Sequence, residues 1–216
     1  MKQQPGRVVS VNVVHAITRG PARDTAIDKR PVAGPVHVGS AGLAGDIQCD
    51  QRHHGGPDKA VYAYAIEDSL WWEQQLQRGI APGTFGENLN TADVDVTHAI
   101  IGERWRIGGP SGPLLEVRMP RSPCANLAAR MGIARFQHRF DATGRVGAYL
   151  SVLHEGTVHA GATVEVESRP SHGITVADAC AASDPAAMRR LLDSPVDLAP
   201  PMRGLAQRAL TRLSRR

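Results

Sequence analysis

The sequence predicts a mainly β body followed by a small helical appendage, and three observations carry that expectation. Between residues 6 and 168, short strand-like runs are punctuated by glycine and proline. Two distant segments, 100–107 and 160–166, share one grammar: a glycine precedes an alternating run, which is how successive strands of a β-barrel are punctuated. After Arg169-Pro170 the signals become helix caps and helical spacing. The expected division is therefore a β-barrel over residues 1–170 and a three-helix extension over 171–216.

Residues 7–14 read as a strand from their β-branched content, with Val9, Val11 and Val13 on one face. Residues 35–38 and 114–118 read the same way. One helix breaks the pattern over 67–78. Trp72 and Leu76 stand four apart, Ile66 and Leu70 extend the stripe, and Gly79 is the expected stop. Residues 125–136 are compatible with a second helix, against which Gly132 counts. In the appendage, Thr175 or Ser171 caps a helix reaching Cys180. Asp184-Pro185, a cap followed by proline at the first helical position, opens a helix to about Leu192. Pro195, Pro200 and Pro201 then interrupt the chain before a last helix over 202–213.

At 216 residues the chain is long enough for a proper core, and with 4% aromatic residues that core leans on Val, Leu, Ile and Ala. The net charge is +4, and Arg203, Arg208, Arg212, Arg215 and Arg216 concentrate it in the tail. This basic run reads as a solvated helix face, with contact to phosphate as the alternative; no recognition motif accompanies it, so nucleic acid is not indicated. Cys49, Cys124 and Cys180 are widely spaced and odd in number, which is no disulfide framework. No run approaches ~18 uninterrupted apolar residues, so no membrane is expected, and the start of the chain has no apolar signal region. Reduced thiols in a soluble cytoplasmic protein are the expectation.

Chemistry concentrates in a few runs. In Pro120-Arg121-Ser122-Pro123-Cys124, two prolines stiffen the loop that carries a guanidinium and a thiol. A nearby cation favours thiolate, the form that attacks electrophiles and ligates metals. A buried structural cysteine and a reactive one both remain open here. Gly55 and Gly56 follow His53-His54 and permit close backbone approach to a ligand, although the His-Gly-Gly-Pro run also serves as a plain turn. Zinc held by Cys49, Asp50, His53 and His54 is disfavoured, because adjacent histidines on an extended chain point to opposite faces. Glu87 and Asn88, in Phe85-Gly86-Glu87-Asn88-Leu89, offer polar groups either to a ligand or to their own loop. Lys29 alone reads as a surface lysine.

Taken together, Lys29-Arg30-Pro31-Val32, Gly42-Leu43-Ala44-Gly45-Asp46, His54 through Ala60, Phe85 through Leu89, Ile101-Gly102, Pro120 through Cys124 and Gly147-Ala148-Tyr149 resemble the MOSC domain family. That family is named for the C-terminal domain of molybdenum cofactor sulfurases. The resemblance runs colinearly over residues 6–168, and the tail from His172 resembles the three-helix extension of the stand-alone YiiM-like branch. It implies a β-barrel that binds the molybdenum cofactor (molybdopterin). Cys124 would be the metal ligand; Lys29, His54 and Arg121 would join it in catalysis; and Lys29, His54, Gly55, Gly56, Glu87, Asn88 and Arg121 would bind the cofactor. His54 would deliver protons, its ordinary pKa lying near neutrality. The implied activity is reduction of a small N-hydroxylated substrate, such as a hydroxylamino base. Electrons would come from an electron-donor redox protein, since no flavin, nicotinamide or iron–sulfur fingerprint is present. A homodimer is left open. Two alternatives stand beside this: a sulfur carrier using a Cys124 persulfide, and a non-catalytic cofactor-binding or storage protein. Cys49 and Cys180 are expected to be bystanders.

Overall fold

The computed structural model describes residues 5–213, so Arg215 and Arg216 of the basic tail, like residues 1–4, lie outside the described residues. Strand β1 (Gly6–Arg19) is long enough to serve three partners. Its first half pairs with β6 (Leu89–Ala92) and, at Gly6 and Arg7, with β11 (Thr163–Ser168); from Asn12 onwards it pairs with β2 (Asp24–Pro31). From β11 the ladder continues through β7 (Arg104–Ile107), β8 (Leu114–Pro120), β9 (Ala148–His154) and β5 (Val61–Ala65) back to β6. Because β11 meets β1, these strands close into a ring, which removes open edges, and β2 extends the sheet beyond it. A smaller sheet joins β3 (Val36–Gly39), β4 (Gly42–Leu43) and β10 (Gly156–Val158). Within the ring β5 and β6 alone run parallel. A parallel pair needs a crossover, and α2 (Ile66–Leu76) supplies it.

Several local expectations are corrected. The buried valines of β1 are Val8 and Val11, each 1% exposed, while Val9 and Val13 are half-buried. A register shift between Val8 and Ser10 inserts one residue, and a one-residue insertion exchanges the faces of a strand. On α2, Leu70 is 50% exposed, and the buried positions are Asp68, Ser69 and Trp72. The helix turns this way because Asp68 is held by Thr97 Oγ1, at 2.7 Å, and by Arg145. Gln77, at φ 52°, ends the helix before Gly79 is reached. Residues 125–136 form one helix only as far as Gly132, whose positive φ caps α3 (Ala125–Met131); α4 (Phe136–Ala142) follows.

The C-terminal helices are α5 (Val176–Ala181), α6 (Pro185–Leu192) and α7 (Pro200–Leu213). Thr175 and Asp178 form a reciprocal capping box on α5, and Asp184 accepts from Ala186 N at 2.8 Å on α6. Pro200 and Pro201 form the first turn of α7 instead of interrupting the chain, since a first turn has no use for their missing N–H groups. Ile174, Val176, Met188, Leu191 and Met202 belong to the same apolar cluster as Val96, Ile101 and Val117 of the β body. The scarce aromatic residues are concentrated. Phe85, Phe136 and Phe140 pack with Tyr64 and Trp72, Tyr64 lying 4.8 Å from Phe85 and Trp72 5.6 Å from Phe140 between ring centroids.

Candidate functional site

One member of the aromatic cluster, Phe85, lines a pocket together with Tyr62 and Tyr149. The Arg121 guanidinium lies 6.0 Å from the Phe140 ring and 5.8 Å from that of Tyr62. Beside it opens a space of about 610 Å³, open solvent included, into which β2 brings Lys29, the short helix α1 (Gln51–His54) brings His54, and the loop before β6 brings Asn88. Arg121 and Cys124 enter from the chain between β8 and α3, and Tyr149 from β9. Thus Lys29, His54, Asn88, Arg121 and Cys124, spread over almost a hundred residues of sequence, share one cavity.

Lys29 is no surface lysine: it is 7% exposed and ion-paired with Asp46. Asp46 also accepts from Val14 N at 2.9 Å and from Asn88 Nδ2 at 2.8 Å, so β1, β2 and the β6 loop meet on one carboxylate. Burial pushes the Lys29 ammonium below its ordinary pKa, opposed by the Asp46 charge. Asn88 Oδ1 accepts from Tyr62 N at 3.0 Å, which ties the pocket wall to β5.

Glu87 does not enter the cavity. Its carboxylate accepts from Gly83 N at 2.6 Å and Phe85 N at 2.9 Å, and it is fully buried, which raises its pKa. It shapes the loop that presents Asn88. Gly55 and Gly56 likewise fall outside the pocket lining; Gly56, at φ 89°, turns the chain after α1. His53 and His54 lie on that short helix, not on an extended chain. His53 pairs with Asp50 at 3.0 Å, and among the described residues no three metal-ligating side chains converge.

Arg121 is 4% exposed, has no carboxylate partner among the described residues, and its buried Nη1 has no hydrogen-bond partner there. A buried guanidinium left in this state is chemically suited to an anion. His54 Nδ1 lies 2.9 Å from Tyr149 Oη. Burial, reinforced by Arg121 and Lys59, pushes the His54 pKa down to about 4, so the ring is neutral at neutral pH. The expectation of a histidine titrating near neutrality is corrected accordingly. Burial raises Tyr149 to about 12.

Three contributors had no role assigned from sequence: Asp46, Tyr149 and Lys59, whose Nζ donates to His53 O at 2.6 Å at the pocket wall. All three stand in runs that carried the family resemblance, and that was the available signal. Cys49 also lines the pocket. Cys180 lies elsewhere, against Asp141, and burial raises its pKa to about 12.

Comparison with known proteins fits this geometry. The profile of the MOSC domain matches residues 50–165. The chain belongs to the MOSC domain family. This MOSC chain is 37% identical to YflK of Bacillus subtilis over 179 residues, covering 82% of this chain and 80% of that protein. To YiiM of Escherichia coli it is 36% identical over 163 residues, covering 74% and 70%. A Gibberella moniliformis protein named a reductase is 33% identical over 149 residues, which are 68% of this chain but 26% of that longer protein. Among solved structures, YiiM of Geobacillus stearothermophilus superposes with a TM-score of 0.78 at 29% identity, covering 95% of this chain and all of that one. MOSC domains are associated with binding of the molybdenum cofactor. No helix among the described residues is long and apolar enough to cross a membrane.

Proposed function

We propose that this MOSC protein binds the molybdenum cofactor in the Arg121 pocket and reduces small N-hydroxylated compounds, with electrons from a partner redox protein. The observation that carries the reading is Arg121: a buried cation with an unpaired N–H group, facing the same cavity as Cys124. The chemistry of the donor set fits the group. Cys124 offers a soft sulfur ligand suited to a redox-active metal, and Arg121 offers planar N–H donors suited to phosphate or oxo groups. Lys29 is already answered by Asp46 and Lys59 Nζ by the His53 carbonyl, whereas the Arg121 guanidinium has no carboxylate partner among the described residues.

When bound, the cofactor supplies a redox-active metal for two-electron reduction. The chain supplies binding and positioning. Arg121 orients the anionic part of the ligand and holds it with little reorganisation, because the rings of Tyr62 and Phe140 pack against the guanidinium. Ile27, Ile47 and Phe85 give the pocket apolar lining beside its polar groups. Asn88 and the Lys29–Asp46 pair hold β1, β2 and the β6 loop in register around the cavity.

Metal analysis tests this after expression in a host that makes the cofactor. Wild type is expected to purify with molybdenum and to reduce hydroxylamino bases with a chemical reductant, and Cys124→Ala to lose most of the metal. Wild type without molybdenum, or Cys124→Ala retaining all of it, overturns the assignment. Cyanide-labile sulfur on Cys124 without bound pterin would favour sulfur transfer instead.

A further inference from the structure

We propose that Tyr149 is a positioning residue: its phenol donates to His54 Nδ1 and so holds the imidazole as the Nε2–H tautomer, with a neutral N–H donor left for the pocket. The contact is 2.9 Å and joins residues 95 apart in sequence. Its direction follows from what surrounds the phenol. Tyr149 is 5% exposed, so water does not serve its O–H freely. Arg121, the charged group acting most strongly on the phenol, has only donors to offer. If His54 Nδ1 carried the proton, the phenol oxygen would receive donors from both sides and its own O–H would have no protein acceptor among the described residues. With Nδ1 unprotonated, Arg121 faces the oxygen lone pairs and the phenol proton has His54 as its acceptor.

The titration behaviour agrees. The phenol is held protonated, up to about 12, and the imidazole neutral, down to about 4. The groups acting on His54 are Arg121, Lys59 and His53 on the cationic side and Asp50 on the anionic side, and the cations and burial prevail. Nε2, across the ring from the phenol, has no protein partner among the described residues, and His54 lines the cavity with Cys124. The site therefore presents a fixed donor for a ligand oxygen, not an imidazolium acid. On the reading given under Proposed function, that oxygen is the N–O oxygen of the substrate. The placement of the proton does not depend on that reading.

The test is long-range proton–nitrogen correlation on 15N-labelled protein at neutral pH, with His54→Gln assigning the signals. Wild type is expected to show His54 as one tautomer, with pyridine-like Nδ1 and pyrrole-like Nε2. Tyr149→Phe keeps the buried ring and its packing on Tyr62, 5.5 Å between centroids, but removes the proton. In that variant the two nitrogen shifts should move towards each other as the second tautomer becomes populated. A pyrrole-like Nδ1 in wild type overturns the proposal, and so does an unchanged pair of shifts in Tyr149→Phe. The wild-type spectrum decides the matter if the variant fails to fold. Reduction assays are read separately: a wild type with the expected tautomer but no activity defeats the proposed function and leaves the tautomer standing.

Discussion

A histidine buried beside two cations makes the folded state sensitive to acid, and His54 puts a sign and a window on that effect. Its folded pKa is about 4, below the ordinary 6.5. Above 6.5 both folded and unfolded chains hold a neutral ring. Between 6.5 and 4 the unfolded chain binds a proton that the folded chain refuses, so stability falls as pH drops through that window. Going from pH 7 to about pH 5 should cost roughly 2 kcal/mol from this residue alone. Urea unfolding of wild type and His54→Gln at those two values checks it. The variant should lose less stability on acidification by about that amount; equal losses would mean that His54 is charged in the folded protein.

At the level of elements, the pocket depends on how closely β9 approaches β5, and Gly147 sets that approach. It sits at φ 71°, and a Cβ there would stand 2.5 Å from Ala63 O and 2.8 Å from the rings of Tyr62 and Tyr64. Its carbonyl accepts from Arg121 N at 3.2 Å, so displacement of this turn also moves the guanidinium. Gly147→Ala should cost about 2–4 kcal/mol, combining left-handed strain with overpacking. Gly144→Ala is the control. Its φ is 69°, but its nearest neighbour would be Ala177 Cβ at 3.6 Å, so it should cost about 1–2 kcal/mol from backbone strain alone. Equal losses in thermal or urea melts would show that close approach contributes nothing. These same contacts explain what was legible in the sequence. The strands within 7–14, 35–38, 100–107, 114–118 and 160–166 and the C-terminal helices were readable, because β-branched runs, caps and prolines act locally, whereas β2, β5, β6 and β9 were not singled out. The β1 bulge was not, because it is decided by pairing with β6 and leaves Val9 looking like any alternating valine. Lys29, His54, Arg121 and Cys124 came together through the family resemblance. The partners that tune them did not, since Asp46 and Tyr149 act across 17 and 95 residues of chain.

For the whole molecule, the question is whether the C-terminal helices form a unit of their own, as the change of grammar near residue 170 suggests. Their packing argues for shared cooperativity. Ile101 N donates to Ile174 O at 3.0 Å and Val176 N to Ala99 O at 2.9 Å, so the chain leading into α5 lies against the β7 side of the body. Ile174, Val176 and Ala179 are at most 2% exposed, and α7 buries Met202 and Ala206 fully. Each large apolar side chain buried this way contributes about 1.5–3 kcal/mol, so several together rival the stability of an ordinary domain. A chain ending at residue 170 would bare Ala99, Ile101 and Val117 to water. We therefore expect the 216-residue chain to unfold in one transition, with tryptophan fluorescence reporting Trp71, Trp72 and Trp105 in the body and far-ultraviolet circular dichroism reporting the helices at the same urea midpoint. The truncated chain should aggregate or lose cooperative unfolding. Two separate midpoints, or a truncated body as stable as the whole, would establish residues 171–216 as an independent extension.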